Sequence, residues 1–148
     1  MVYCLSNKYK TLFFLIFVVT ISACKKEVKE EKKEELIVYQ PSEMANLMNE
    51  FYEYNASLKS AILSNEDLEQ MPERFLKIHS AEMTDSSGRN SIFNGFAPAY
   101  INSQMKVLDT LSRLDLRTRY NNNINMCLAC HKTECVGPIP RIKKLLIK

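Results

Sequence analysis

The spacing of apolar residues after residue 41 is the feature that most restricts the fold. In the first stretch these residues lie three, four or seven positions from one another, which places them on one face of an α-helix. Ser42 is a favoured N-cap, and Ser64-Asn65 is a polar stop, so we expect a helix from Glu43 to about Ser64. Its apolar face would consist of Met44, Leu47, Met48, Phe51, Leu58 and Ile62.

Three further stretches have a helical pattern. The second predicted helix covers residues 66–83 and is broken or restarted at Pro72, and a polar loop follows at residues 84–90. The third carries Pro98 in its first turn, and the fourth begins after Asp115 and must end before Gly137. With 3 Gly and 5 Pro among 148 residues, the composition favours helices over a sandwich or a barrel. The sequence therefore predicts an all-α domain built as a four-helix bundle.

The N-terminus has the pattern of an export signal. Residues 1–10 are short and basic, and residues 11–23 are almost wholly apolar, which suits a secretory signal better than a membrane span. The junction Ile21-Ser22-Ala23-Cys24 resembles the lipobox of bacterial lipoproteins. That resemblance implies cleavage before Cys24 and a diacylglyceryl group on its sulfur. The alternative is a buried apolar helix with an incidental cysteine.

These patterns divide the chain into a signal peptide at 1–23, a charged linker at 24–40 and a helical domain at 41–148. The linker mixes both charges and has no apolar face, so it serves as a spacer or as a solvated leader. We expect the domain in the cell envelope, lipid-anchored to a membrane and exposed on the periplasmic or surface side. The 20 basic and 17 acidic residues give a net charge of +3, and cleavage of the predicted signal peptide removes Lys8 and Lys10 and leaves 18 against 17. This balance leaves no basic excess for nucleic acid.

The chemistry is concentrated in Cys127-Leu128-Ala129-Cys130-His131, a C-x-x-C-H motif near the end of the fourth predicted helix. Positions i, i+3 and i+4 share one face of a helix. Two thiols placed this way can add to the two vinyl groups of one haem, and the imidazole can ligate its iron. The motif therefore predicts a single covalent haem c on Cys127, Cys130 and His131.

The same residues allow other interpretations. With Cys135 they form C-x₂-C-H-x₃-C, which has the ligand types of a Cys₃His zinc site, although adjacent Cys130 and His131 would strain a tetrahedron. A redox dithiol or a disulfide between Cys127 and Cys130 is also compatible with an oxidising compartment. Cys135 itself would be a thiol near the haem, an intermolecular bridge or a buried side chain.

A helical domain with C-x-x-C-H near its C-terminal end resembles the class II cytochromes c, the cytochrome c′ and c556 group. The resemblance covers residues 42–135 by architecture, and Cys127, Cys130 and His131 by motif. It implies a four-helix bundle around the haem. Low-spin members take a Met from the first helix as the sixth ligand, which here would be Met48 or alternatively Met44.

The function that this resemblance implies is electron transfer to and from redox partner proteins. The alternatives are a gas-binding or sensing module with an open sixth site, and a non-haem helical domain with a Cys/His zinc site. If neither methionine binds iron, Met44 and Met48 are ordinary core residues. His79 lies in a polar run and is expected at the surface. No Ser/His/Asp set and no paired carboxylates occur, so we do not expect an enzyme.

The C-terminal tail mixes apolar and basic residues. We expect the chain to turn at Gly137-Pro138 and to fold back, because its aliphatic side chains favour burial. The basic residues Arg141, Lys143 and Lys144 are candidates for pairing with haem propionates, or they form a solvated basic surface.

Overall fold

The structure is a computed structural model that describes residues 40–148. The predicted signal peptide and Cys24 lie outside the described residues, and the predicted linker enters them only at Gln40. Within residues 40–148 all regular structure is helical, which confirms the all-α class. No helix of this part of the chain is long and apolar enough to cross a membrane.

The order of elements is simple, with three long α-helices followed by a short tail. The long helices are α1 (Glu43–Ser64), α2 (Ser91–Leu108) and α3 (Leu116–Thr133). The tail contains a single α-helical turn, α4 (Ile139–Ile142), and a 3₁₀ turn at Lys143–Leu145. Two other 3₁₀ segments, Glu73–His79 and Ser86–Gly88, lie between α1 and α2.

Helix α1 has the predicted bounds. The Ser42 hydroxyl accepts a hydrogen bond from the Ala45 amide at 3.1 Å, so it caps the first turn as expected. The helix ends at Asn65, whose φ of 54° is the left-handed conformation that asparagine tolerates better than most residues. Four of the predicted core residues are buried, namely Met44, Leu47, Phe51 and Leu58, whereas Met48 and Ile62 are half-buried.

The second predicted helix is confirmed only in its break at Pro72: residues 66–72 form a loop, and the segment Glu73–His79 that follows is a 3₁₀ helix rather than an α-helix. Pro72 adopts an extended backbone conformation, and a proline both lacks an amide hydrogen and disfavours helix in the residue before it. Phe75 and Ile78 are nonetheless buried, because a separation of three residues also places side chains on one face of a 3₁₀ helix. A four-helix bundle is therefore not confirmed.

The third predicted helix begins earlier than expected. The Asn90 side chain accepts from the Phe93 amide at 2.9 Å and caps α2, so Pro98 lies inside the helix rather than in its first turn. Pro98 is exposed, so its ring faces solvent and the helix loses one backbone hydrogen bond without losing core packing. Sequence reasoning missed Asn90 because the preceding polar loop offers several possible caps.

Helix α3 begins and ends as predicted. The Asp115 carboxylate accepts from the Thr118 amide at 2.9 Å, and the helix stops at Thr133, before Gly137. The guanidinium of Arg119 donates to the Val107 and Asp109 carbonyls at 2.6 Å each, so it satisfies the C-terminal end of α2. Helices α2 and α3 also make the most extensive contact between helices among the described residues.

The tail turns and packs back on α1 and α3, as predicted. Ile142, Leu145 and Ile147 are 7%, 4% and 6% exposed, so this short segment contributes three side chains to the core. Asn121 of α3 forms two hydrogen bonds with the backbone of Ile147, both 2.9 Å long. Lys59 of α1 donates to the Lys144 carbonyl at 2.8 Å. The tail is thus fixed by both apolar burial and polar contacts.

Candidate functional site

The C-x-x-C-H motif lies on the last turns of α3, as predicted. Cys127, Cys130 and His131 are all half-buried, and their helical spacing directs them to the same side of the domain. Helix α3 contacts both α2 and the tail, so this side of α3 faces other elements of the domain and not only solvent. The helix therefore presents two thiols and an imidazole toward a shared space.

That space is a cavity between α1, α2, α3 and the tail. Its volume is about 120 Å³, and the empty space is about 780 Å³ when the solvent at its open mouth is included. Sites for small molecules and cofactors usually occupy roughly 300–1,000 Å³, so a ligand of that size would fill the mouth as well as the interior. The walls are largely apolar and aromatic, and they include Phe51, Tyr52, Ile78, Phe93, Phe96, Ala97, Tyr100, Ile142 and Leu145.

All three motif residues line this cavity, and so does Met48 from α1. Met44 does not line it: its side chain is buried, and its backbone amide donates to the Glu82 carbonyl at 2.8 Å. Met126 also lines the cavity, but it precedes Cys127 on the same helix as His131. Of the two methionines that the sequence suggested, the structure therefore brings only Met48 to the motif.

The ring of His131 is oriented by the backbone. Its Nδ1 lies 2.8 Å from the Cys135 carbonyl oxygen. A carbonyl only accepts hydrogen bonds, so Nδ1 must carry the hydrogen, and the neutral ring keeps its lone pair on Nε2. Histidines that bind metals commonly have this arrangement, in which one nitrogen is held by a carbonyl and the other is available.

Cys135 contributes through its carbonyl oxygen rather than through its sulfur. Its side chain is exposed, so the interpretation of Cys135 as a buried thiol is wrong. Helix α3 ends at Thr133, and the chain leaves the helix just before Cys135, which turns this carbonyl back toward His131. Sequence reasoning could not find this contact, because it depends on where the helix ends.

Burial suppresses ionisation of the two motif thiols. It raises the pKa of Cys127 to about 12 and that of Cys130 to about 11, with nearby Glu134 adding to the second shift. Reactive dithiols instead have a lowered thiol pKa, because the thiolate is the nucleophile. Cys127 and Cys130 also carry free thiols, so neither the redox interpretation nor the disulfide is supported.

The zinc alternative lacks an assembled ligand set. Among residues 40–148, no three His, Cys, Asp or Glu side chains are grouped so that they could hold a metal ion. Cys127, Cys130, His131 and Cys135 therefore do not form the Cys₃His tetrahedron that their spacing allows. His79, the other histidine, is exposed on its 3₁₀ segment, as predicted, and does not line the cavity.

A buried polar network that the sequence did not reveal forms part of the cavity wall. Asn123 donates to the Asn55 oxygen at 3.0 Å and to the Gln104 oxygen at 2.7 Å, and the Tyr100 hydroxyl donates to Gln104 at 3.1 Å. Burial holds the pKa of Tyr100 well above its usual range, so this hydroxyl stays protonated. One sequence feature could have indicated this network: Asn55 lies on the apolar face of α1, between Phe51 and Leu58.

The network is not fully satisfied. Gln104 Nε2 and Asn123 Oδ1 are buried and have no hydrogen-bond partner among the described residues. Each such group costs roughly 1–3 kcal/mol, which offsets part of what the buried hydrogen bonds of the network contribute, and those bonds fix the side chains that face the cavity.

No protein-family model matches the chain, and no curated protein or solved structure does so either. The resemblance to class II cytochromes c therefore rests on Cys127, Cys130, His131 and the helical domain that carries them.

Proposed function

We propose that this protein is a membrane-tethered c-type cytochrome that transfers electrons through one covalently bound haem. The observation that carries the proposal is that Cys127, Cys130, His131 and Met48 all line one largely apolar cavity. Three of them come from α3, and the fourth comes from α1, a helix far away in sequence. Two thiols and an imidazole are the groups that attachment of haem c requires, and the thioether of a methionine is a common second ligand of its iron.

Cys127 and Cys130 would hold the haem. Each thiol would add across one vinyl group, so that a sulfur–carbon bond forms and the thiol hydrogen goes to the other vinyl carbon. No oxidant is needed for this addition. The raised pKa of both thiols keeps them protonated and unreactive toward disulfides until the haem is supplied.

His131 and Met48 would be the two side chains that bind the haem iron. The Cys135 carbonyl leaves the His131 Nε2 lone pair available, and Met48 lines the same cavity from a different helix. The bound haem would supply an iron that gains and loses one electron. With His131 and Met48 both bound to the iron, the protein would exchange electrons without binding a substrate.

The other walls would set the environment of the haem. In a class II bundle four helices enclose the group, whereas here the 3₁₀ segment Glu73–His79 and the tail stand in for the fourth helix. Ile78 from the former and Leu145 from the latter line the cavity. Apolar walls exclude water and disfavour the more highly charged oxidised site, which raises the reduction potential.

The proposed location is the cell envelope, with Cys24 lipidated and the haem domain outside the cytoplasm. Partners would be the membrane, through this anchor, and redox proteins. Intact mass spectrometry of detergent-extracted protein should show a chain that begins at Cys24 and carries a lipid adduct. A chain that starts elsewhere and carries no adduct would contradict the anchor without affecting the haem proposal.

Replacing Met48 by alanine is expected to convert a low-spin spectrum to high spin and to allow carbon monoxide to bind the reduced iron. The reason is that Met48 lines the cavity and its loss opens the sixth position. Absorption spectra of the oxidised protein, and of the reduced protein with and without carbon monoxide, measure both effects.

Met44→Ala is the matched control, because Met44 lies one turn earlier on α1 and does not line the cavity. It should remain low spin, although the loss of a buried methionine costs roughly 2–5 kcal/mol of stability. A wild type that is already high spin, or a spectral change only in Met44→Ala, would show that Met48 is not the ligand.

A further inference from the structure

Arg141 lies in the tail, lines the cavity and packs against α1. Its guanidinium carbon is 3.7 Å from the centre of the Tyr52 ring. One terminal nitrogen donates to Asn49 at 2.7 Å, and the other donates to Glu53 at 3.0 Å. These three partners follow one another on a single face of α1, so the guanidinium plane is fixed by stacking on one side and by hydrogen bonds along its edge.

The fixed guanidinium still has hydrogen-bond donors without a partner in the part of the chain that the structure describes. It has five N–H donors, and two of them are used by Asn49 and Glu53. The remaining three have no hydrogen-bond acceptor among the described residues. Arg141 is also half-exposed, at 45% of its side chain, so these donors are accessible from the mouth of the cavity.

The charge of the lining residues points to one class of ligand group. Within the part of the chain that the structure describes, Arg141 is the only lysine or arginine that lines the cavity, and no aspartate or glutamate lines it. Lys143 and Lys144 border a different groove on the surface, beside Lys59 and Lys148. Of the three basic tail residues that the sequence suggested, only Arg141 can therefore meet a ligand in this cavity.

We propose that Arg141 is the carboxylate-binding residue of the cavity, and that its ligand is an apolar molecule bearing carboxylate groups. This inference rests on the proposed function, in which those carboxylates are the haem propionates. A planar guanidinium can bind a carboxylate through two parallel hydrogen bonds, which a lysine cannot do. Because Arg141 belongs to the tail, a bound carboxylate also ties residues 137–148 to the rest of the site.

The test uses the full chain with Cys127→Ala and Cys130→Ala, so that porphyrin binding is reversible. Iron protoporphyrin IX and its dimethyl ester are titrated separately, and the Soret band and tyrosine fluorescence report binding. The ester has the same rings and iron but no carboxylate. Arg141→Gln should weaken binding of the free acid about tenfold, as expected for the loss of a charge-assisted hydrogen bond, and leave ester binding unchanged.

Lys143→Gln is the matched control. It also removes one positive charge, it lies two positions after Arg141, and its side chain does not line the cavity. It should change neither affinity. If Arg141→Gln weakens both porphyrins equally, Arg141 only holds the tail in place, and the inference is wrong. An unchanged affinity for the free acid would also overturn it. If the chain with intact Arg141 binds neither porphyrin, the proposed haem site itself fails.

Discussion

Replacing Cys127 and Cys130 together by serine is expected to leave the protein without covalently bound haem. Serine keeps the size and the helix, but a hydroxyl does not form the thioether bond with a vinyl group. Denaturing gel electrophoresis followed by peroxidase staining measures the covalent fraction directly. The wild type should retain its colour through the denaturing step, the double variant should lose it, and each single variant should keep a weaker band.

Cys135→Ser is the matched control for this experiment. It removes a thiol that is exposed and does not line the cavity, and it preserves the backbone carbonyl that holds His131. Its staining should equal that of the wild type. Colour that persists in the double variant, or that disappears in Cys135→Ser, would show that the haem is not attached where we propose.

Ending the chain at Val136 is expected to remove much of the stability of the domain. The deletion takes away three buried side chains, Ile142, Leu145 and Ile147, each worth roughly 1.5–3 kcal/mol when fully buried. It also leaves the Tyr120 hydroxyl without one of its acceptors, the Leu145 carbonyl at 3.2 Å. Domains of this size have a free energy of unfolding of about 5–15 kcal/mol, so a loss on this scale is severe.

Thermal unfolding followed by circular dichroism measures this effect. Should the truncated chain fail to fold, Leu145→Ala provides the same test in a milder form and should cost roughly 2–5 kcal/mol. Val136→Ala is the control, because Val136 is 66% exposed and its truncation should change little. Unchanged melting of the truncated chain would mean that the tail does not support the core.

In the protein with haem bound, shortening the tail should also lower the reduction potential, since water gains access to the haem.

The elements that could be predicted from the sequence are those fixed by local signals. Ser42 and Asp115 each cap a helix through a bond to a residue three positions ahead, so the starts of α1 and α3 depend on neighbours in the sequence. The break at Pro72 in the second predicted helix could also be placed from the sequence. Its helix type could not, because the apolar spacing fits both an α-helix and a 3₁₀ helix, and Phe75 and Ile78 are buried against α1 and α2 from a 3₁₀ segment.

The residues of the candidate site also differ in whether a local sequence pattern could reveal them. The motif residues are adjacent in sequence, so Cys127, Cys130 and His131 could be found without a structure. The preference for Met48 over Met44 also came from its position on α1, and the cavity lining, which includes Met48 and not Met44, agrees with it; its role as a ligand stays a prediction. The orientation of His131 and the place of Arg141 depend on the turn after Thr133 and on the path of the tail, which no local pattern encodes.

The most direct test of the central claim is a pyridine haemochrome spectrum of the protein purified from its native membrane. Pyridine replaces both axial ligands, so the position of the α band depends on the porphyrin alone. If Cys127 and Cys130 both form thioethers, the band lies at the wavelength of haem c, and one haem is found per chain. A band at the wavelength of haem b, or a protein without haem, would contradict the proposal.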